Sequence, residues 1–150
     1  MALSSDTQGS KSVAIGYGTL QTQNFSSATD SYNTAIGYEA GNAVTTGIEN
    51  VLIGGVAGDA LTDADFNIAI GVSTLTQDTK GSKTVAIGGG ALNAQNFTSA
   101  TDTHNVAVGF HAGNDNTTGQ YNTFIGRLAG QTSTSVQLAV AIGNLSLIHI

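Results

Sequence analysis

The chain has 150 residues, 20 of them glycine, no proline or cysteine, and a net charge of −6. Only 9% of its residues are charged, against roughly 25% in ordinary soluble domains, so Ser, Thr, Asn, Gln and Gly must cover the surface. Four basic residues, Lys11, Lys80, Lys83 and Arg127, do not make the basic footprint that nucleic acid requires. The lack of cysteine excludes disulfides and thiolate metal sites. No apolar run approaches the ~18 residues of a membrane span, and the first residues show neither the charged nor the apolar part of a signal peptide.

In chain order, residues 1–8 read as an N-terminal extension. A repeat then runs over 9–147, as two 72-residue super-repeats (9–80 and 81–147), and 148–150 remain as a tail. "GSKSVAIGYGTLQTQNFSSATDSYN" from Gly9 aligns without a gap on "GSKTVAIGGGALNAQNFTSATDTHN" from Gly81. Each unit ends a short apolar stretch on glycine, at Gly16, Gly37, Gly54, Gly71, Gly88, Gly109, Gly126 and Gly143, in steps of 21, 17, 17, 17, 21, 17 and 17 residues. Helical repeats need more than ~30 residues to hold two helices. Units this short, rich in Gly, Thr and Asn, predict the eight turns of an all-β parallel solenoid, rising ~4.8 Å per turn.

The strand of each unit ends at its glycine. Side chains alternate along a strand, so one face carries Val13 and Ile15, Thr34 and Ile36, Val51 and Ile53, and their counterparts in the later units. Such a β-branched face suits burial, and the expectation is that it fills the roll. The opposite face carries Ala14, Ala35, Ala69, Ala86, Ala107 and Ala141, with Leu52 and Phe124 as matched exceptions. Its small residues are expected to let another backbone approach. Asn33, Asn50, Asn67, Asn105 and Asn122 stand four residues before their glycines. They are expected to form a corner ladder, since Asn tolerates left-handed dihedrals and bonds its own backbone. Proline is absent because it would delete a ladder donor.

At "KSVAIG" (Lys11 to Gly16), "KTVAIG" (Lys83 to Gly88) and "NTAIGYEAG" (Asn33 to Gly41), the chain resembles two groups. One is the head of YadA-like trimeric autotransporter adhesins, a left-handed parallel β-roll. The other is the repeats of phage tail fibres, those of marine cyanophages in particular. The resemblance covers roughly residues 9 to 147, although these turns are longer than those of the adhesin head. It implies a homotrimer, an extracellular or virion location (tail fibre or bacterial surface), and a chain that is a segment of a longer fibre. A thin roll buries little apolar area by itself, which also favours packing three copies. The alternative is a fatter single-chain solenoid with three strands per turn.

No catalytic constellation stands out. His104, His111 and His149 have no repeated acidic or nucleophilic partner, and no pair of the ten acids recurs in both super-repeats. The chain reads as a non-enzyme without cofactor or metal. Asp59, Asp63 and Asp65 resemble a calcium loop, but their counterparts are Gln131, Ser135 and Gln137, so they read as a solvated acidic corner. Candidate contact residues lie in the loops that lengthen two turns by four residues: Asn24, Phe25, Asp30 and Tyr32 in the first, Asn96, Phe97, Asp102 and His104 in the second. Insertions in a solenoid map to one face, often the binding face. Taken singly, each Phe is expected to fold back into the roll and each Asp to cap a turn. The functional expectation is a structural fibre or adhesin segment contacting cell-surface glycans. The alternatives are a filament subunit stacking end to end through uncapped edges, and a depolymerase segment of a fibre. The partners expected are other copies of the chain and a surface glycan.

Overall fold

The computed structural model describes residues 1–147; the 148–150 tail, with His149, lies outside them. The described residues form an all-β solenoid of eight turns. Twelve strands occur: β1 (Gly9–Ser10), β2 (Val13–Ile15), β3 (Thr29–Asp30), β4 (Thr34–Ile36), β5 (Val51–Ile53), β6 (Ile68–Ile70), β7 (Gly81–Ser82), β8 (Val85–Ile87), β9 (Thr101–Asp102), β10 (Val106–Val108), β11 (Thr123–Ile125) and β12 (Val140–Ile142). Eight of them make one parallel sheet in the order β12-β11-β10-β8-β6-β5-β4-β2. Register is strict: Ile36 pairs with Ile53 and Ile53 with Ile70, so equivalent residues stand in columns. The two-residue strands pair β1 with β3 and β7 with β9, within the turns that carry the insertions. Elsewhere the chain runs through stacked turns. Leu20 N donates to Ala40 O, Gly41 N to Ala57 O and Gly58 N to Thr74 O, so the corners form ladders too. Neither a second nor a third regular strand runs through every turn.

The sheet is turned the other way round from the expectation. Ala35, Leu52, Ala69, Ala86, Ala107 and Phe124 are fully buried, whereas Val13, Ile15, Val140 and Ile142 are exposed. The aliphatic pairs face outward and the small residues line the lumen. The reason is the width of the lumen. Each layer takes one large side chain, supplied by either wall. Where the strand offers Ala, the corner four residues past the glycine offers leucine, as with Ala69 and Leu75 or Ala86 and Leu92. Where the strand offers Leu52, the corners are Gly41 and Gly58; a Cβ on them would lie 2.6 Å from Leu52 Cδ1 and 2.8 Å from Leu52 Cδ2. Phe124 stands between Gly113 and Gly130 in the same manner. Volume is conserved layer by layer, as close packing demands.

The glycine ending each strand is fixed by a different constraint. Gly88 has φ +121, and a Cβ there would lie 2.6 Å from the carbonyl oxygen of Gly109 in the next turn. Only glycine permits both the dihedral and the approach. Three further columns hold left-handed backbone, two and four residues past the glycine and five before it, and many of their members are bulky: Leu20, Leu75, Glu49, Phe66 and Tyr121 among them. Each costs about 1–2 kcal/mol and is held by bonds to adjacent turns, such as Glu49 N to Ser31 O.

The asparagine column is also relocated. These residues do not have left-handed backbone; the residue before each of them does. Asn33, Asn50, Asn67, Asn105 and Asn122 are fully buried, and they bond the next turn instead of their own backbone. Asn33 Oδ1 accepts from Asn50 N (2.9 Å), and Asn33 Nδ2 donates to Gly47 O (2.7 Å). Asn50 Oδ1 likewise accepts from Asn67 N (3.0 Å), and its Nδ2 donates to Ala64 O (2.8 Å). An interior amide thus satisfies two backbone groups that the turning chain leaves unpaired.

Candidate contact surface

The insertions occupy residues 25–30 and 97–102. Asn24 N donates to Thr45 O and Glu49 N to Ser31 O, so the ladder closes on both sides of the first bulge. Phe25 and Phe97 are each 7% exposed. They fold inward, as expected of them singly, and so leave the contact surface. Their anchors are polar. Asp78, fully buried, accepts from Phe97 N (3.0 Å), Gly81 N (3.0 Å) and Gln95 Nε2 (2.6 Å). Gln95 Oε1 then accepts from Asn105 Nδ2 (2.8 Å). Asp6, Gln23 and Asn33 repeat the chain of bonds in the first super-repeat. Burial pushes the Asp6 carboxyl up, but donors from Gln23, Gly9, Gln8 and Phe25 outweigh it and hold the group below its ordinary value. Sequence reasoning missed these acids and glutamines. Their spacing of 72 residues, Asp6 to Asp78 and Gln23 to Gln95, was the available signal.

The remaining loop candidates stay outside. Asp30 ion-pairs with Lys11 at 2.6 Å and accepts from Ser10 Oγ at 2.6 Å; Asp102 pairs with Lys83 at 2.6 Å. These Asp residues bind an adjacent turn and do not cap their own. Lys11 also donates to Tyr32 Oη (2.9 Å) and sits 5.0 Å from the centre of its ring. The Asp30 carboxylate, then the Tyr32 hydroxyl, push the Lys11 ammonium above its ordinary value. His104 stacks on Tyr121 (centroids 5.3 Å, 19°). Asn24 and Asn96 are exposed at the entry to each bulge. The loop side chains therefore reach solvent as Asn24, Asp30, Tyr32, Asn96, Asp102 and His104, with both Asp residues already engaged by lysine.

The three acids between residues 59 and 65 do not converge. Asp63 reaches Lys80 (3.5 Å), and Asp65 accepts from Ile48 N (2.8 Å). Asp59 Oδ1 is enclosed without a hydrogen-bond partner. Burial, with the charge of Glu39 adding to it, raises the Asp59 carboxyl above its ordinary value. Among the described residues, no three His, Asp or Glu side chains stand close enough to hold a metal.

The largest chemical feature is the outer face of the eight-stranded sheet. Its sixteen outward positions carry fourteen Val or Ile and two Thr, and no charge. The stripe spans seven turn spacings, ~34 Å at ~4.8 Å each. A solvent-facing sheet surface normally alternates with polar residues, so this one is shaped for a partner. Exposed rings flank it one residue past the glycines, at Tyr17, Tyr38 and Phe110, and five residues before them, at Tyr32, Phe66 and Tyr121. No protein-family model, no curated protein and no solved structure matches the chain.

Proposed function

We propose that the chain is a structural segment of an extracellular fibre, the shaft or head of a phage tail fibre or a bacterial surface adhesin. Three copies pack through their Val/Ile stripes, and the outer corners contact a cell-surface glycan. The observation that carries this reading is the continuous aliphatic face on the outside of the sheet. The lumen is already filled by Ala, Leu and Phe124, so a neighbour's apolar face is the natural cover for the stripe. At ~25 cal/mol per Å², covering most of a large apolar patch adds several kcal/mol per copy. A rod with rigid stacked turns, an apolar seam and a polar, weakly charged exterior suits a load-bearing fibre.

The test is molecular mass in solution, for the natural chain and for Ile53→Asp combined with Ile70→Asp. The expected result is a trimer that the paired charges dissociate, with the β circular-dichroism signal kept. A monomeric natural chain at tens of micromolar would overturn the packing. A second reading, end-to-end stacking into filaments, draws support from β2 and β12, which stand at the two open edges of the sheet. Open-ended polymers in the same mass measurement would favour it.

A further inference from the structure

We propose that a slot over Gly89 binds a neutral sugar ring. The slot lies past the glycine bend, off the strand columns that packing would cover. The proposal rests on the glycan-contact part of the reading above and deepens it by naming a site.

The two super-repeats act as a built-in comparison. In the first, Tyr17 stacks on Tyr38 with ring centroids 5.7 Å apart and planes 12° from parallel. Seventy-two residues on, Tyr38 becomes Phe110, and Tyr17 becomes Gly89. The lower ring is kept and the upper one is gone. What remains is a cavity of about 420 Å³ between Val72 and Phe110, within the range that holds small ligands.

Backbone geometry does not demand this glycine. Gly88 and Gly90 have φ of +121 and +68, but Gly89 is not in the left-handed region. A Cβ added to it would meet nothing closer than Phe110 Cδ2 at 3.6 Å, an ordinary contact. The consequence of glycine at this position is therefore the open space itself.

The rim is polar and uncharged: Ser73, Asn93, His111 and Asn114. Asn93 Nδ2 donates to Ser73 O (3.1 Å) and Asn114 Nδ2 to Gly90 O (3.0 Å), which fixes both amides. His111 packs over Gly90 and edge-on to Phe110 (4.2 Å, 76°). Its Nδ1 is one of two enclosed side-chain atoms among the described residues that lack a hydrogen-bond partner. An exposed aromatic face beside amides, a hydroxyl and an imidazole matches a sugar: C–H groups on the ring, hydroxyls on the rim. With no cation on the rim and a net charge of −6, a neutral sugar is favoured over an anionic one. An aromatic side chain of a protein partner would fill the slot and leave the polar rim unmatched.

Saturation-transfer NMR at millimolar methyl glycosides of glucose, galactose, mannose and N-acetylglucosamine, with p-cresol as the aromatic probe, tests the site. At least one glycoside is expected to bind. Gly89→Tyr, which restores the first super-repeat's ring, and Phe110→Ala are each expected to weaken it about tenfold, the equivalent of one lost ring contact. Silence from all four glycosides, binding undiminished in both variants, or preference for p-cresol overturns the proposal. Should Gly89→Tyr fold poorly, Phe110→Ala decides alone. A trimer silent to sugars refutes the slot and spares the fibre; a monomer that binds them does the reverse.

Discussion

The layer-by-layer exchange between strand and corner predicts a double-mutant cycle at Phe124 and Gly130. Phe124 is fully buried, and Phe124→Ala is expected to cost about 3–5 kcal/mol through the cavity left behind. Gly130→Leu alone is expected to cost at least about as much, because its Cβ would overlap the Phe124 ring. Together they recreate the arrangement of an earlier layer, Ala69 with Leu75. The backbone permits the exchange: Gly130 has φ +64, and Leu75 holds φ +53 at the equivalent corner. The double variant should therefore fall within about 2 kcal/mol of the natural chain, the residue being the space next to Gly113 that Phe124 also fills. The implied coupling exceeds about 3 kcal/mol, well beyond the ~0.5 kcal/mol scatter of independent sites. Urea denaturation followed by circular dichroism measures it. Additive losses would refute the conserved-volume account of the lumen.

Further expectations concern polar groups and backbone. Asn50→Ala strips the partners from two buried backbone groups, Asn67 N and Ala64 O, and should cost about 2–4 kcal/mol in urea denaturation. Asp59 stands where other turns place Asn42, Asn93 and Asn114, each of which donates to the carbonyl of a preceding turn. Asp59→Asn should therefore stabilise by about 1 kcal/mol at pH 7, seen as a rise in Tm of roughly 2–4 °C. The raised Asp59 carboxyl binds its proton more tightly in the folded state. Its contribution is fully present below the ordinary carboxylate range and fades as pH rises through the raised value, so Asp59→Asn should gain less at pH 4 than at pH 7. The lowered Asp6 carboxyl works the other way: its contribution is present above the ordinary carboxylate range and is lost as pH falls through the depressed value. Thermal melts of Asp6→Asn should show a deficit that shrinks on acidification. Exposed Glu49, at φ +57, should tolerate Glu49→Gly with a net gain near 0.5 kcal/mol, since relief of left-handed strain exceeds the added chain entropy.

The turn count, the parallel stacking and the columns of equivalent residues were legible from the spacing of the glycines alone. The direction of the sheet was not. Branched residues were assigned inward because they are the larger ones, yet a narrow lumen prefers Ala on one wall when Leu arrives from the other. The evidence for this lay in the sequence as a trade between two columns: Ala with Leu at Ala69 and Leu75, a large residue with glycine at Leu52 and Gly58 or Phe124 and Gly130. Each column examined alone conceals the trade. The asparagines were placed correctly in a ladder and incorrectly at a corner, because their partners sit 14 and 17 residues ahead and no local rule reaches that far. Phe25 and Phe97 turn inward as bulky residues in a polar loop should. Asp78 and Gln95 escaped notice because a polar residue suggests solvent until a neighbour is known to bond it. The slot at Gly89 became visible only when the stacked Tyr17 and Tyr38 showed what it omits.

The asparagine relay gives the rod a sense of direction. In every instance the side-chain oxygen of one turn waits for a backbone donor of the turn that follows: Asn33 for Asn50, Asn50 for Asn67, Asn67 for Thr84, Asn105 for Asn122, Asn122 for Ala139. A completed coil thus presents a prepared docking point to the stretch emerging after it during synthesis. Growth by templating, from first coil to last, keeps near-identical segments from mispairing with a coil one or two places away.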